Sequence, residues 1–107
     1  MTTHLFERLI VTCPNAGGGV GVVDGGCFFF QEGLLSTGLA ASGGRLLIGR
    51  QPNRVVVVEG GRAHVAASLV EDVHDLAVID GTIYAVATER NEVRTLDPDF
   101  ATLQSWR

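Results

Sequence analysis

Apolar positions along the 107-residue chain come in short runs, none of which keeps a helical period over eleven or more residues. The runs cover residues 9–11, 20–23, 28–30, 46–48, 55–58, 76–79, 83–86 and 93–96, and most are rich in β-branched residues. Turn chemistry stands between them. Asp24-Gly25-Gly26, Gly43-Gly44, Gly60-Gly61 and Asp80-Gly81 supply the positive-φ positions that tight hairpins need. Strand after strand with no helical stretch predicts an all-β chain.

Three segments align with one another. The first runs Leu9-Ile10-Val11-Thr12-Cys13-Pro14-Asn15 and then Val20-Gly21-Val22-Val23-Asp24. The second runs Leu46-Leu47-Ile48-Gly49-Arg50-Gln51-Pro52-Asn53 and then Val55-Val56-Val57-Val58-Glu59. The third runs from Ile83 to Asn91 and then Val93-Arg94-Thr95-Leu96-Asp97. Asn15, Asn53 and Asn91 stand 38 residues apart. Tolerance of the left-handed region explains an Asn at a turn; the constant spacing marks the repeat. A preceding strand recurs as Gly38-Leu39-Ala40-Ala41-Ser42 and, 37 residues on, Asp75-Leu76-Ala77-Val78-Ile79. A fourth strand follows each acidic turn, over 27–31, 62–67 and 100–106. The unit is therefore four antiparallel strands, A to D, repeated over about 1–37, 38–74 and 75–107 of one domain. The first repeat is incomplete: Met1 to Glu7 is barely long enough for a strand A and has no Gly-rich turn before Leu9.

A slim strand A, a strand B apolar on both faces and a variable strand D make the pattern of a β-propeller blade. There A lines the central channel, B lies between neighbouring blades and D forms the rim. The stretch Asp75 to Phe100, Asp-Leu-Ala-Val-Ile-Asp-Gly-Thr-Ile-Tyr-Ala-Val-Ala-Thr-Glu-Arg-Asn-Glu-Val-Arg-Thr-Leu-Asp-Pro-Asp-Phe, resembles one blade of the NHL-like six-bladed propellers. The segment from Ile10 to Gly19 further resembles a motif of poorly characterised bacterial propeller proteins. The tryptophan–aspartate pair of WD40 blades and the kelch glycine pair are missing. Propellers close with 4–8 blades, so three blades leave two end faces uncovered. Apolar patches of that size are rare on soluble monomers. The expectation is a homodimer in which two chains complete a six-bladed ring. The alternative is a longer chain that supplies the other blades.

Composition narrows the partners. The formal net charge is −4, and the eight basic residues, all arginine, are scattered singly, which argues against nucleic acid. No apolar run is long enough to span a bilayer as a helix. The N-terminus lacks a basic start followed by an apolar stretch, so a cytoplasmic location is expected.

Chemistry-bearing residues gather in the loops between D and A and between B and C, which share one face of a blade. The richest run is Glu71-Asp72-Val73-His74-Asp75. His74 and Asp75 are the residues chosen there, as a metal site or an acid/base pair; a His-Asp at a strand start also serves simply to tie down a turn. Asn15, Asn53 and Asn91 are turn residues first and ligand candidates second. Arg50, with Arg54, brackets Gln51-Pro52-Asn53 and suits a carboxylate or phosphate. Ring-shaped lactonases that resemble this class hold calcium with Glu, Asn and Asp from this same face, so calcium is the metal the resemblance implies; the residues themselves require no cofactor. Residues 16–19 precede neither a helix nor a Lys and make no P-loop. Cys13 ends a strand B and Cys27 begins a strand D, roughly 9–10 Å apart across strand C. A disulfide needs Cα atoms within about 7 Å, so both thiols are expected free.

Two functions remain in view. One is a non-catalytic binding or assembly module with an unidentified ligand, a small molecule among the candidates. The other is a metal-dependent hydrolase or lyase of the six-bladed type with its site at the channel mouth. Fold does not choose between them.

Overall fold

A computed structural model describes residues 8–12, 19–24, 27–32, 35–60, 62–69 and 72–107. Eleven strands follow one another among them: β1 (Arg8–Thr12), β2 (Gly19–Asp24), β3 (Cys27–Glu32), β4 (Ser36–Ser42), β5 (Arg45–Arg50), β6 (Arg54–Glu59), β7 (Arg62–Ser68), β8 (Val73–Ile79), β9 (Thr82–Ala87), β10 (Glu92–Leu96) and β11 (Thr102–Trp106). They form three meanders in chain order. The first sheet is β1-β2-β3, the second β4-β5-β6-β7 and the third β8-β9-β10-β11. The second and third are the four-stranded repeats that the sequence predicts. The first has three strands among the described residues, with no strand A.

The chain divides into two compact units, Met1–Ser36 and Thr37–Arg107. In the first, β1 pairs antiparallel with β2 from Arg8 opposite Asp24 to Thr12 opposite Val20. Leu9 and Val11 share one face with Gly21, and both side chains are exposed.

In the second unit the second and third sheets pack face to face. Cross-strand register puts Leu47 beside Val57, and Gly49 beside Val55, on one face of the second sheet. That face meets Val73, Leu76, Ile83, Ala85 and Leu96 of the third sheet, and all of these except the glycine belong to one buried cluster. The inner strands come closest where side chains are smallest. A Cβ on Gly38 would lie 2.8 Å from the Asp75 Cα and the Leu76 nitrogen, and one on Gly49 would lie 3.1 Å from a Val73 methyl. The slim strand A of the repeat is thus a packing requirement between neighbouring inner strands.

The hairpins at the far end behave as their residues dictate. Asp80 and Gly81 both take positive φ, as do Gly43 and Gly44, which is the backbone of a tight reversal matching strand twist. Three details differ from expectation. Asn91 adopts the left-handed conformation, but Asn53 does not; its turn contains a cis Gln51-Pro52 bond instead. The last strand begins at Thr102 rather than at Phe100. Phe100 sits in the preceding turn with φ of 68°, held by its amide donating to the Asp97 carbonyl and by Arg45 stacked 5.3 Å from its ring. Finally, β8 begins at Val73, so His74 and Asp75 lie inside a strand and not in the loop before it.

Candidate functional site

Leu69 and Asp72 meet the loops 51–53 and 88–91 at one end of the second and third sheets, where backbone bonds fix them. The Leu69 amide donates to the Asn53 carbonyl (2.6 Å), Val73 N–H to the Pro52 carbonyl (3.1 Å) and Thr88 N–H to the Asp72 carbonyl (2.9 Å). Side chains reinforce the same junction. The Val73 carbonyl accepts from the Thr37 hydroxyl and from the Gln51 amide, the latter at 2.8 Å.

Asp72 is the centre of the polar cluster. Its Oδ2 accepts from the Thr88 hydroxyl at 2.7 Å and lies 3.7 Å from His74 Nδ1. The Thr88 hydroxyl above all, then Gln51 and His74, hold the Asp72 carboxyl below its ordinary value, outweighing the opposing effect of burial. Asp72 is therefore an ionised acceptor at neutral pH with an imidazole beside it. Gln51 and Thr88 occupy equivalent places, 37 residues apart, each directly after a strand B.

The residues chosen from the sequence are placed as follows. His74 is the extra residue of a β-bulge, where pairing jumps from Val73–Ala87 to Asp75–Val86, and it is exposed. The Asp75 carboxylate turns back on its own strand and accepts from the Leu76 amide at 2.8 Å. Asn53 contributes a backbone carbonyl to the junction, and the Asn91 backbone amide closes its turn by donating to the Thr88 carbonyl at 3.2 Å. Arg50 is the direct cross-strand partner of Arg54, two like charges at the hairpin's mouth. Asn15, Glu71 and Cys13 lie outside the described residues, and with Cys13 goes the test of its pairing with Cys27. No group of three His, Cys, Asp or Glu side chains among the described residues converges to hold a metal ion.

A second carboxylate was not anticipated. Glu92, the first residue of β10, is buried. Its Oε1 accepts from Ser105 (2.7 Å) and from Arg94 Nε (2.8 Å), while Oε2 has no hydrogen-bond partner and lies 3.8 Å from Arg107 Nε. The Ser105 hydroxyl, then Arg94 and Arg107, lower its pKa against the cost of burial. The signal was the spacing Glu92-x-Arg94, which puts both side chains on one face of a strand.

No family model matches the chain. No curated protein matches it either. Among solved structures, it is similar to a chain in the crystal structure of a nidogen/laminin complex, with a TM-score of 0.80 and 16% identity. The match covers 94% of this chain and 43% of that one, so this chain spans less than half the length of the protein it resembles. The neighbour is a β-propeller. With three antiparallel meanders and no helix among the described residues, the likeness makes this chain a partial β-propeller.

Proposed function

We propose that the chain is a non-catalytic β-propeller binding or assembly module of NHL-like type that works in the cytoplasm with a protein partner, a second copy of itself. One observation carries this reading: the face of the third sheet turned away from the core exposes large apolar side chains. Ile79, Val86 and Trp106 there are 56%, 37% and 47% accessible. Soluble proteins cover such surfaces with a neighbour. The similar chain comes from a structure of a protein complex, which supports a protein partner. Light scattering on the 107-residue chain at micromolar concentration tests it; the expected mass is that of two chains, and a stable monomer overturns it.

The hydrolase or lyase reading rests on the Asp72–His74 contact and on the doubling of such donors, with Asp75, when two chains share one axis. Calcium titration followed by thermal melting tests it. A calcium-dependent rise in midpoint that is lost in Asp72→Asn supports the reading, and no rise counts against it.

A further inference from the structure

The repeat shows which face of one copy fits which face of another. Inside the chain, the second sheet presents Leu47, Gly49, Val55 and Val57 to the third. Moving those positions on by one repeat gives Tyr84, Val86, Val93 and Thr95. Cross-strand register places all four on the outer face of the third sheet, with Trp106 opposite Val93. The receiving face of the third sheet uses Ile83 and Ala85, each 1% accessible. Moving these back by two repeats gives Leu9 and Val11, which are 39% and 38% accessible. On the outer face Val86 and Trp106 are exposed, Tyr84 and Val93 half-buried and Thr95 buried. The chain thus carries one partly open face of the presenting kind and one open face of the receiving kind.

We infer that two copies join head to tail, the outer face of the third sheet of each seated on the Leu9–Val11 face of the other's first sheet. This rests on the proposed self-assembly and names its surfaces. The joint continues the observed interface between the second and third sheets by one step, and two copies supply six sheets. A presenting face against a receiving face is heterologous, and a two-membered ring built from it has two equal joints. The joint is not an exact copy of the internal one. Val86 stands where Gly49 stands, Trp106 where Ala67 stands and Ile79 where Ser42 stands, so more apolar bulk is offered. Asp75 replaces Gly38, so the 2.8 Å approach of inner strands is not repeated. The contact rests on β9, β10 and β11 instead.

Complementation tests the pairing. Leu9→Arg and Val86→Asp each place a charge in both joints of their own dimer and should weaken self-association about a hundredfold or more. Mixed together, the two variants regain one unaltered joint, and the other pairs Arg with Asp. A heterodimer should therefore form from two monomeric variants. Trp106→Glu, on the exposed edge strand, replaces Val86→Asp if the latter does not fold by circular dichroism. A wild-type monomer overturns the self-assembly reading itself. A wild-type dimer that survives Leu9→Arg, or variants that do not complement, leave that reading standing and overturn the head-to-tail joint.

Discussion

The second and third sheets are built from the same repeat, yet they stand in different surroundings. In the second sheet both faces are buried: Leu47, Val55 and Val57 on one, Ile48 and Val56 on the other. In the third, Ile83, Ala85 and Leu96 are buried while Ile79 and Val86 on the other face are open. Leu47, Gly49 and Val55 of the second sheet answer to Tyr84, Val86 and Val93 of the third, so at these positions exposure in the third sheet reflects what covers it rather than a loss of apolar character. The polar anchoring differs as well. Where the second sheet has Arg54 exposed at the start of β6, the third has Glu92 buried at the start of β10, tied to Ser105 of the outer strand.

That difference gives the largest expected effect. Arg94→Met leaves the Glu92 carboxylate without its main charge partner, and breaking a buried pair in this way costs about 3–5 kcal/mol. The pH dependence follows from the sign of the shift. In the native chain Glu92 titrates below its ordinary 4.5, so its stabilisation is full above that value and is lost as pH falls through the lower folded one. In Arg94→Met the Ser105 bond still opposes burial, so the pKa is lowered less than in wild type; less stabilisation is then lost on acidification, and the gap to wild type should narrow. Urea unfolding at neutral and acidic pH measures it. An equal deficit at both would show that Arg94 acts by packing alone.

The next effect contrasts equivalent positions. Leu47→Ala empties a fully buried site and should cost about 2–5 kcal/mol. Tyr84→Ala, one repeat later and only half-buried, should cost much less in a separated chain while weakening self-association. Unfolding curves at several protein concentrations distinguish the two terms. Equal losses, independent of concentration, would mean that the outer face of the third sheet is no interface.

Much of this contrast was readable beforehand. The 37- and 38-residue offsets located both four-stranded sheets, and Gly43-Gly44 and Asp80-Gly81 located their tight turns. What escaped was local and sterically unusual. A bulge inserts one residue with no compositional mark, so nothing announced that His74 would be displaced from the pairing pattern. A phenylalanine at positive φ runs against the sterics of a bulky side chain, and Phe100 is held there by Asp97 of its own turn and by Arg45, which arrives from the second sheet. Asp72 and Asp75 are indistinguishable within the run 71–75. Only the arrival of Thr88 and Gln51 from other loops singles out Asp72, and their equivalence was hidden by unlike side chains.

Gly38 sharpens the comparison through packing. Gly38→Val pushes side-chain atoms into the backbone of the third sheet's inner strand and should cost about 1–3 kcal/mol. At the equivalent Asp75, Asp75→Val should change stability little, because no fourth sheet approaches it within the chain. Thermal melts of both variants decide this; a large loss at Asp75 would show that its bond to the Leu76 amide, and not open space, sets its role.

The smallest expected effect lies at the junction between the two sheets. Asp72 is partly exposed, so losing its charge in Asp72→Asn should cost only about 0.5–1 kcal/mol. Its pKa lies below the ordinary 3.8, so that contribution is present above 3.8 and disappears as pH falls through the folded value. Thr88→Ala removes the principal bond holding the carboxylate, and the double variant should cost no more than the larger single one. Gln51 separates two explanations of how the sheets stay together. It belongs to the turn of the second sheet but bonds the Val73 carbonyl at the start of the third. If Gln51→Ala costs as much as Thr88→Ala, the junction helps to hold one sheet on the other. If it costs nothing, the apolar cluster does so alone, and the polar loops are free to serve a ligand.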